Sequence, residues 1–366
     1  MGAGTSTFQG DDPGEELKMF LNGEETDEEQ LTSLLSFRIR PVKSLAEEKS
    51  FSASCLKIKE NVEQERKQAL QIGLGLGQSE SVVENICVLM EMLADFDIST
   101  NSTTQEIWFL HNGLFFVKWL FSSYPDHVGH IIGNHSEIQQ KFFTRLVTIV
   151  TTVEVTDESY QMVMEATDIL TIASYSANHL EVLGMEKSLM ESLLQNFIGQ
   201  KAAPVFPYGL PSGVGHALAS GMWSVMTIGL GTLNETVDVN FKPLSEKSYN
   251  LIKELLETRV SCVTVLSNLM DGHDIKFSDL HTILLGNMTF SYLLKALLAI
   301  NMSYRRFVMT GTDLSLLLSS ILKDVYDVNV EDGAGVDEKF NILQILSRDE
   351  MFNRSIHTSK FGQVTW

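Results

Sequence analysis

Apolar residues recur at helical spacing along nearly the whole chain, and polar residues fill the intervening positions. A period of 3.6 with an apolar stripe predicts amphipathic helices that bury one side. The pattern predicts helices over Glu28 to Phe37 and Leu45 to Leu70, with Pro41 as the break between them. The run GLGLG (Gly73 to Gly77) follows and is expected to be a linker. No strand pattern precedes it, and it lacks the Lys-Ser/Thr that a phosphate loop requires. Ser81 and Glu84 have the spacing of a capping box for a helix carrying Val83, Ile86, Met90 and Leu93 on one face.

Further helices are predicted over Gln105 to Tyr124, from Ile138 to Val153, over Tyr160 to Tyr175, and over Leu189 to Ile198. Asp168 falls inside the third of these, facing solvent or a helix neighbour. After residue 240 the pattern gives Tyr249 to Leu269, Phe277 to Ile300, Leu314 to Val328 and Lys339 to Leu346. No run of alternating β-branched residues bounded by hairpin turns interrupts the series. The fold class is therefore all-α. Helix pairs at roughly forty-residue spacing suggest an α-solenoid of antiparallel pairs in the style of armadillo or HEAT arrays, without a strict sequence repeat.

One stretch departs from the amphipathic rule. Residues 202–234 carry no charge, although 20% of the chain is charged. Pro204, Pro207, Pro211, Gly209, Gly213 and Gly215 make its first part irregular. Ala217 to Ile228 then has small residues on one side and Leu218, Met222, Trp223, Val225 and Met226 on the other. Val214 to Leu233 is long enough for a membrane span, which needs about 20 apolar residues. Its glycines, serines, threonines and His216 dilute the transfer energy, and the pattern favours a buried central helix with Trp223 in the core. The organisation expected is an acidic tail over residues 1–30 and one helical domain over 31–366, with 202–234 at its centre.

The net charge is −20. Such a chain repels nucleic acid and anionic lipid at long range, which argues against a nucleic-acid partner. The three cysteines Cys55, Cys87 and Cys262 are widely spaced among apolar neighbours, as buried thiols in a reducing compartment are. N-x-S/T sequons occur at Asn101, Asn134, Asn234, Asn287, Asn301 and Asn353, with no apolar signal sequence ahead of them. This set of features predicts a cytosolic protein.

Chemistry-bearing motifs are few. The chain opens MGAGTS, where Gly2 and Ser6 fit the acyl-transfer pattern M-G-x-x-x-[ST], so Gly2 is a candidate for myristoylation. The carboxylates from Asp11 to Glu29 face Lys18 alone, and no cysteine precedes Cys55. Neither a basic patch nor a palmitoylated cysteine is therefore at hand as a second anchor. One myristoyl chain gives only about 10⁴ M⁻¹ of bilayer affinity, so attachment would be reversible or shared with a protein contact. His127, His130 and His135, beside Asp126, have spacings that a zinc site could use, but they fall in a polar connection between helices. No H-E-x-x-H or G-x-S-x-G motif occurs, and Ser212 with His216 lies in a glycine-rich loop. No catalytic residue, cofactor or small-molecule substrate is assigned. An integral membrane protein with a span near 214–233, and a metal-dependent hydrolase built on the three histidines, stay as alternatives.

Several runs together resemble the dymeclin family. These are Gly2 with Ser6, HNGLFF (His111 to Phe116), LLQNFIGQ (Leu193 to Gln200), VFP followed by ALASGMWSVMTIG (Ala217 to Gly229), and MFNRSIH (Met351 to His357). SNLMD (Ser267 to Asp271) and GTDL (Gly311 to Leu314) add to them. The resemblance covers nearly all of the chain. It implies a non-enzymatic cytosolic protein that associates peripherally with the Golgi membrane and supports Golgi organisation and vesicle traffic. Its implied anchor is a myristoyl group on Gly2, together with an unidentified Golgi or trafficking protein. Family members continue past the segment matching MFNRSIH, so the resemblance further implies an N-terminal part or a shortened form.

Overall fold

The computed structural model describes residues 29–31, 76–96, 104–123, 136–157, 159–176, 186–202, 242–272, 275–311, 314–327 and 336–358. Among them the secondary structure is helical throughout, without a strand. The expected all-α class holds. The charge-free stretch 202–234 with its helix at Ala217 to Ile228, the span at 214–233, Trp223, and the helix at Leu45 to Leu70 lie outside the described residues, apart from Ala202 itself. The described helices group into two compact units, taken separately below.

The first unit contains α1 (Leu76–Asp95), α2 (Thr104–Ser123), α3 (Ser136–Thr152) and α4 (Tyr160–Ser176). α1 packs on α2 and on α3, and α4 packs on α2 and on α3. Two helix pairs thus lie side by side, first helix against first and second against second. The stripe Ile86, Met90 and Leu93 of α1 is buried as its spacing predicted. The capping box is not. α1 begins at Leu76, so Ser81 and Glu84 sit inside the helix, and Leu76 and Gly77 belong to its first turn and not to a linker. α1 and α2 approach closely at Gly113, where an added Cβ would stand 2.3 Å from Leu93 Cδ2.

α3 keeps a polar face, with Glu137, Gln140 and Lys141 exposed opposite Phe142, Phe143, Leu146 and Val150. α4 is different: every residue from Tyr160 to Leu170 is buried. Its start is fixed by a reciprocal hydrogen-bonded cap. The Thr156 N–H donates to Ser159 Oγ (2.8 Å) and the Ser159 N–H to Thr156 Oγ1 (3.2 Å), which satisfies donors at the helix entrance.

The second unit contains α5 (Glu186–Gly199), most of α6 (Pro243–Thr258), α7 (Val260–Asp271), α8 (Phe277–Gly286), a 3-10 turn (Met288–Phe290), α9 (Ser291–Ile300), α10 (Met302–Gly311), α11 (Leu314–Asp327), α12 (Val336–Ser347) and α13 (Glu350–Thr358). α5 packs on α7, and α9 lies against α7, α8, α10 and α12. An aromatic triangle of Phe197, Tyr249 and Phe290 sits between α5, α6 and the 3-10 turn, with ring centroids 4.8 to 6.0 Å apart. Gln200 follows α5 at φ 46, in the left-handed region that ends many helices, and its side chain donates to the Phe197 carbonyl at 2.7 Å.

Two expected helices in this unit are split, and two further helices appear. The single helix over Tyr249 to Leu269 is two helices, α6 and α7, parted at Arg259, whose backbone is extended (φ −135, ψ 113). Thr258 and Val260 flank the break, and β-branched residues have only modest helix propensity. The Arg259 guanidinium lies 3.9 Å from Glu186 on α5, so a distant partner accompanies the local weakness. The helix over Phe277 to Ile300 is likewise broken, with a bend of 113° between α8 and the segment that follows. Asn287 turns the chain there: its Oδ1 accepts from the Thr289 N–H (3.0 Å) and from Thr289 Oγ1 (2.7 Å). α10 was not anticipated. Asn301 stops α9 and starts α10 by accepting the Tyr304 N–H at 2.6 Å, while Arg305 Nε donates to the last-turn carbonyl of Leu298 at 2.7 Å. α13 was missed in the same way, and Asp349 caps it by accepting from the N–H groups of Met351 (2.9 Å) and Phe352 (3.2 Å).

Candidate functional site

Gly2, Ser6, His127, His130 and His135 lie outside the described residues. No described group of three or more His, Cys, Asp or Glu could hold a metal ion. What the described residues offer instead is a small number of buried or half-buried polar clusters, each of which can be read from the helices that position it.

The first joins α2 and α4. Lys118 Nζ stands 2.5 Å from Glu165 Oε2 and 3.6 Å from Asp168 Oδ2. Glu165 and Asp168 are three residues apart and so share one face of α4. The side chains of Lys118, Glu165 and Asp168 are 15%, 2% and 10% exposed. Burial by itself lowers the Lys118 pKa, but the two carboxylates outweigh it and hold the ammonium above its ordinary value. The cation is therefore permanent at neutral pH. The ammonium is no proton donor near pH 7, and its contacts tie α2 to α4. Of the two orientations expected for Asp168, the structure selects the one toward a helix neighbour.

The second cluster joins α8 and α10. His281 Nδ1 and the Tyr304 hydroxyl are hydrogen-bonded at 2.9 Å, and Phe277 and Phe307 pack edge-on against Tyr304 and His281 respectively. Burial pushes His281 down to about 4 and Tyr304 well above the ordinary phenol range. Both groups are neutral at pH 7. An imidazole only 5% exposed and held neutral among aromatic rings reads as a core residue.

Asn301, 1% exposed, forms a third cluster. Its Nδ2 donates to the Ser267 carbonyl (3.2 Å) and to Asp271 Oδ1 (3.1 Å), which ties the start of α10 to the end of α7. The fourth lies where α6, α9 and α12 come together. Lys253 and Lys295 stand over the Tyr292 ring at 5.5 and 4.4 Å from its centroid. Burial, then Glu257, Glu338 and Glu254, push the Tyr292 phenol up to about 12. These clusters went unread in the sequence because each is assembled from side chains far apart in the chain.

The thiols behave as expected where they are described. Cys87 and Cys262 are free and buried, and burial raises both, with Glu84 and Glu91 helping to push Cys87 up to about 11. Burial and a raised pKa both favour the protonated thiol over the reactive thiolate. No single described helix is long and apolar enough to cross a membrane. The bent pair formed by α8 and the segment Met288–Ile300 passes by length and composition alone. Leu280, Leu284, Met288, Leu293, Leu294, Leu297 and Leu298 of that pair are buried inside the second unit.

Comparison with known proteins gives a consistent picture. A family model described as "Dymeclin: Dyggve-Melchior-Clausen syndrome protein" matches residues 24–366. Dymeclin of Xenopus laevis is 25% identical over all of this chain and 63% of its own length. Dymeclin of Mus musculus is 27% identical over 71% of this chain and 49% of its own length. Dymeclin of Drosophila melanogaster is 36% identical over 20% of this chain and 11% of its own length. The chain thus spans less than two thirds of the length of these relatives. No solved structure matches it.

Proposed function

The chain belongs to the dymeclin family, and from that premise we propose that it is a non-enzymatic scaffold, bound peripherally and reversibly to the cytosolic face of the Golgi membrane and serving Golgi organisation and vesicle traffic. The observation that carries this reading is the family match across residues 24–366. Two features support it. The polar clusters among the described residues join helices to one another, which suits a protein that works through its surface. The arrangement of α1 and α2 beside α3 and α4, like helix against like, is how neighbouring pairs stack in an armadillo or HEAT array, and we extend it to a solenoid.

Attachment is assigned to a myristoyl group on Gly2. The MGAGTS start satisfies the acyl-transfer pattern, and the acidic residues that follow supply no electrostatic second anchor. Residence on the membrane then depends on a protein partner as well as on the acyl chain. The test is subcellular fractionation of the wild-type protein and Gly2→Ala, with intact mass measured on both. The wild type should carry one myristoyl group and divide between membrane and cytosol, and Gly2→Ala should be cytosolic with an unchanged circular dichroism spectrum. An unmodified wild-type N-terminus, or membrane residence that survives Gly2→Ala, would overturn the assignment.

A further inference from the structure

We draw no further inference here: the strongest candidate, the exposed apolar side chains Leu316, Leu322 and Tyr326 of α11 with Phe340 of α12 and Met351 of α13, lies on three helices that touch one another, but nothing in the structure shows what covers them.

Discussion

Lys118 is the residue whose removal the structure makes most informative. At the observed 2.5 and 3.6 Å, and with an effective dielectric constant of about 20, its gross attractions to Glu165 and Asp168 are roughly 7 and 5 kcal/mol. Desolvation of the three charges offsets most of that, so the gross figure is not the expected loss. What decides the outcome is the state left behind. Lys118→Met keeps most of the aliphatic stem and its packing but leaves Glu165, whose side chain is only 2% exposed, without this cation. Breaking a buried pair in this way costs about 3–5 kcal/mol. Urea unfolding followed by far-UV circular dichroism should show a loss of that order. Lys118→Met combined with Glu165→Gln and Asp168→Asn should recover a large part of it, because the carboxylate charges that faced Lys118 are gone. The pH dependence has a definite sign. In Lys118→Met the buried carboxylate should hold its proton more tightly folded than unfolded, so the deficit shrinks as pH falls. In the parent, the raised Lys118 pKa makes its contribution complete below the unfolded value near 10.4 and lost as pH rises through the higher folded one. If Lys118→Met unfolds within about 0.5 kcal/mol of the parent, as an ordinary surface substitution would, the cluster is not the tie inferred here.

Three other sites give independent checks. Gly113→Ala gains about 1 kcal/mol of helix propensity but drives a methyl to 2.3 Å from Leu93 Cδ2, and overpacking costs about 1–3 kcal/mol, so net destabilisation is expected. The loss should be partly relieved in the Gly113→Ala, Leu93→Ala double variant, and a more stable single variant would show that α1 and α2 do not meet there. Asn301→Ala removes both a helix cap and the bonds to Ser267 and Asp271; a loss of about 1–2 kcal/mol is expected, with faster hydrogen exchange in the first turn of α10. Unchanged exchange in that turn would refute the capping role. His281, lowered to about 4 in the folded chain, binds fewer protons folded than unfolded, so stability should fall as pH drops from about 6.5 toward 4, by on the order of 3 kcal/mol in all. His281→Gln should flatten that part of the stability profile, and a profile as steep as the parent's would assign the dependence to other groups.

The local period of the sequence determined most of the described helices, though not α10 and α13. Ile86, Met90 and Leu93 are buried as their spacing requires. Gln105 to Tyr124 and Tyr160 to Tyr175 match α2 and α4 to within a residue at each end. Dispersed runs such as LLQNFIGQ sufficed to indicate the family, because they report the identity of residues and not their arrangement. Where helices stop is partly legible in the sequence. Asn287 after Gly286, Asn301 and Asp349 all carry short side chains that can accept from N–H groups two or three residues on; the apolar pattern runs through Asn287 and hides it, whereas the expected end at Ile300 agrees with α9. Other features had no local signal at all. Arg259 breaks a helix in a segment free of proline and glycine, beside a carboxylate that comes from α5. Asp168 could face water or a neighbour equally well by its spacing, and only the packing of α4 on α2 put Lys118 beside it. The same holds for Gly113, which has the periodicity of any helical residue until Leu93 is brought against it. Periodicity is a property of residues three or four apart, and the chain carries it in full. Pairing of buried charges, capping across helices and close approach belong to residues tens of positions apart, and tertiary packing alone selects among the partners that the local pattern leaves equivalent.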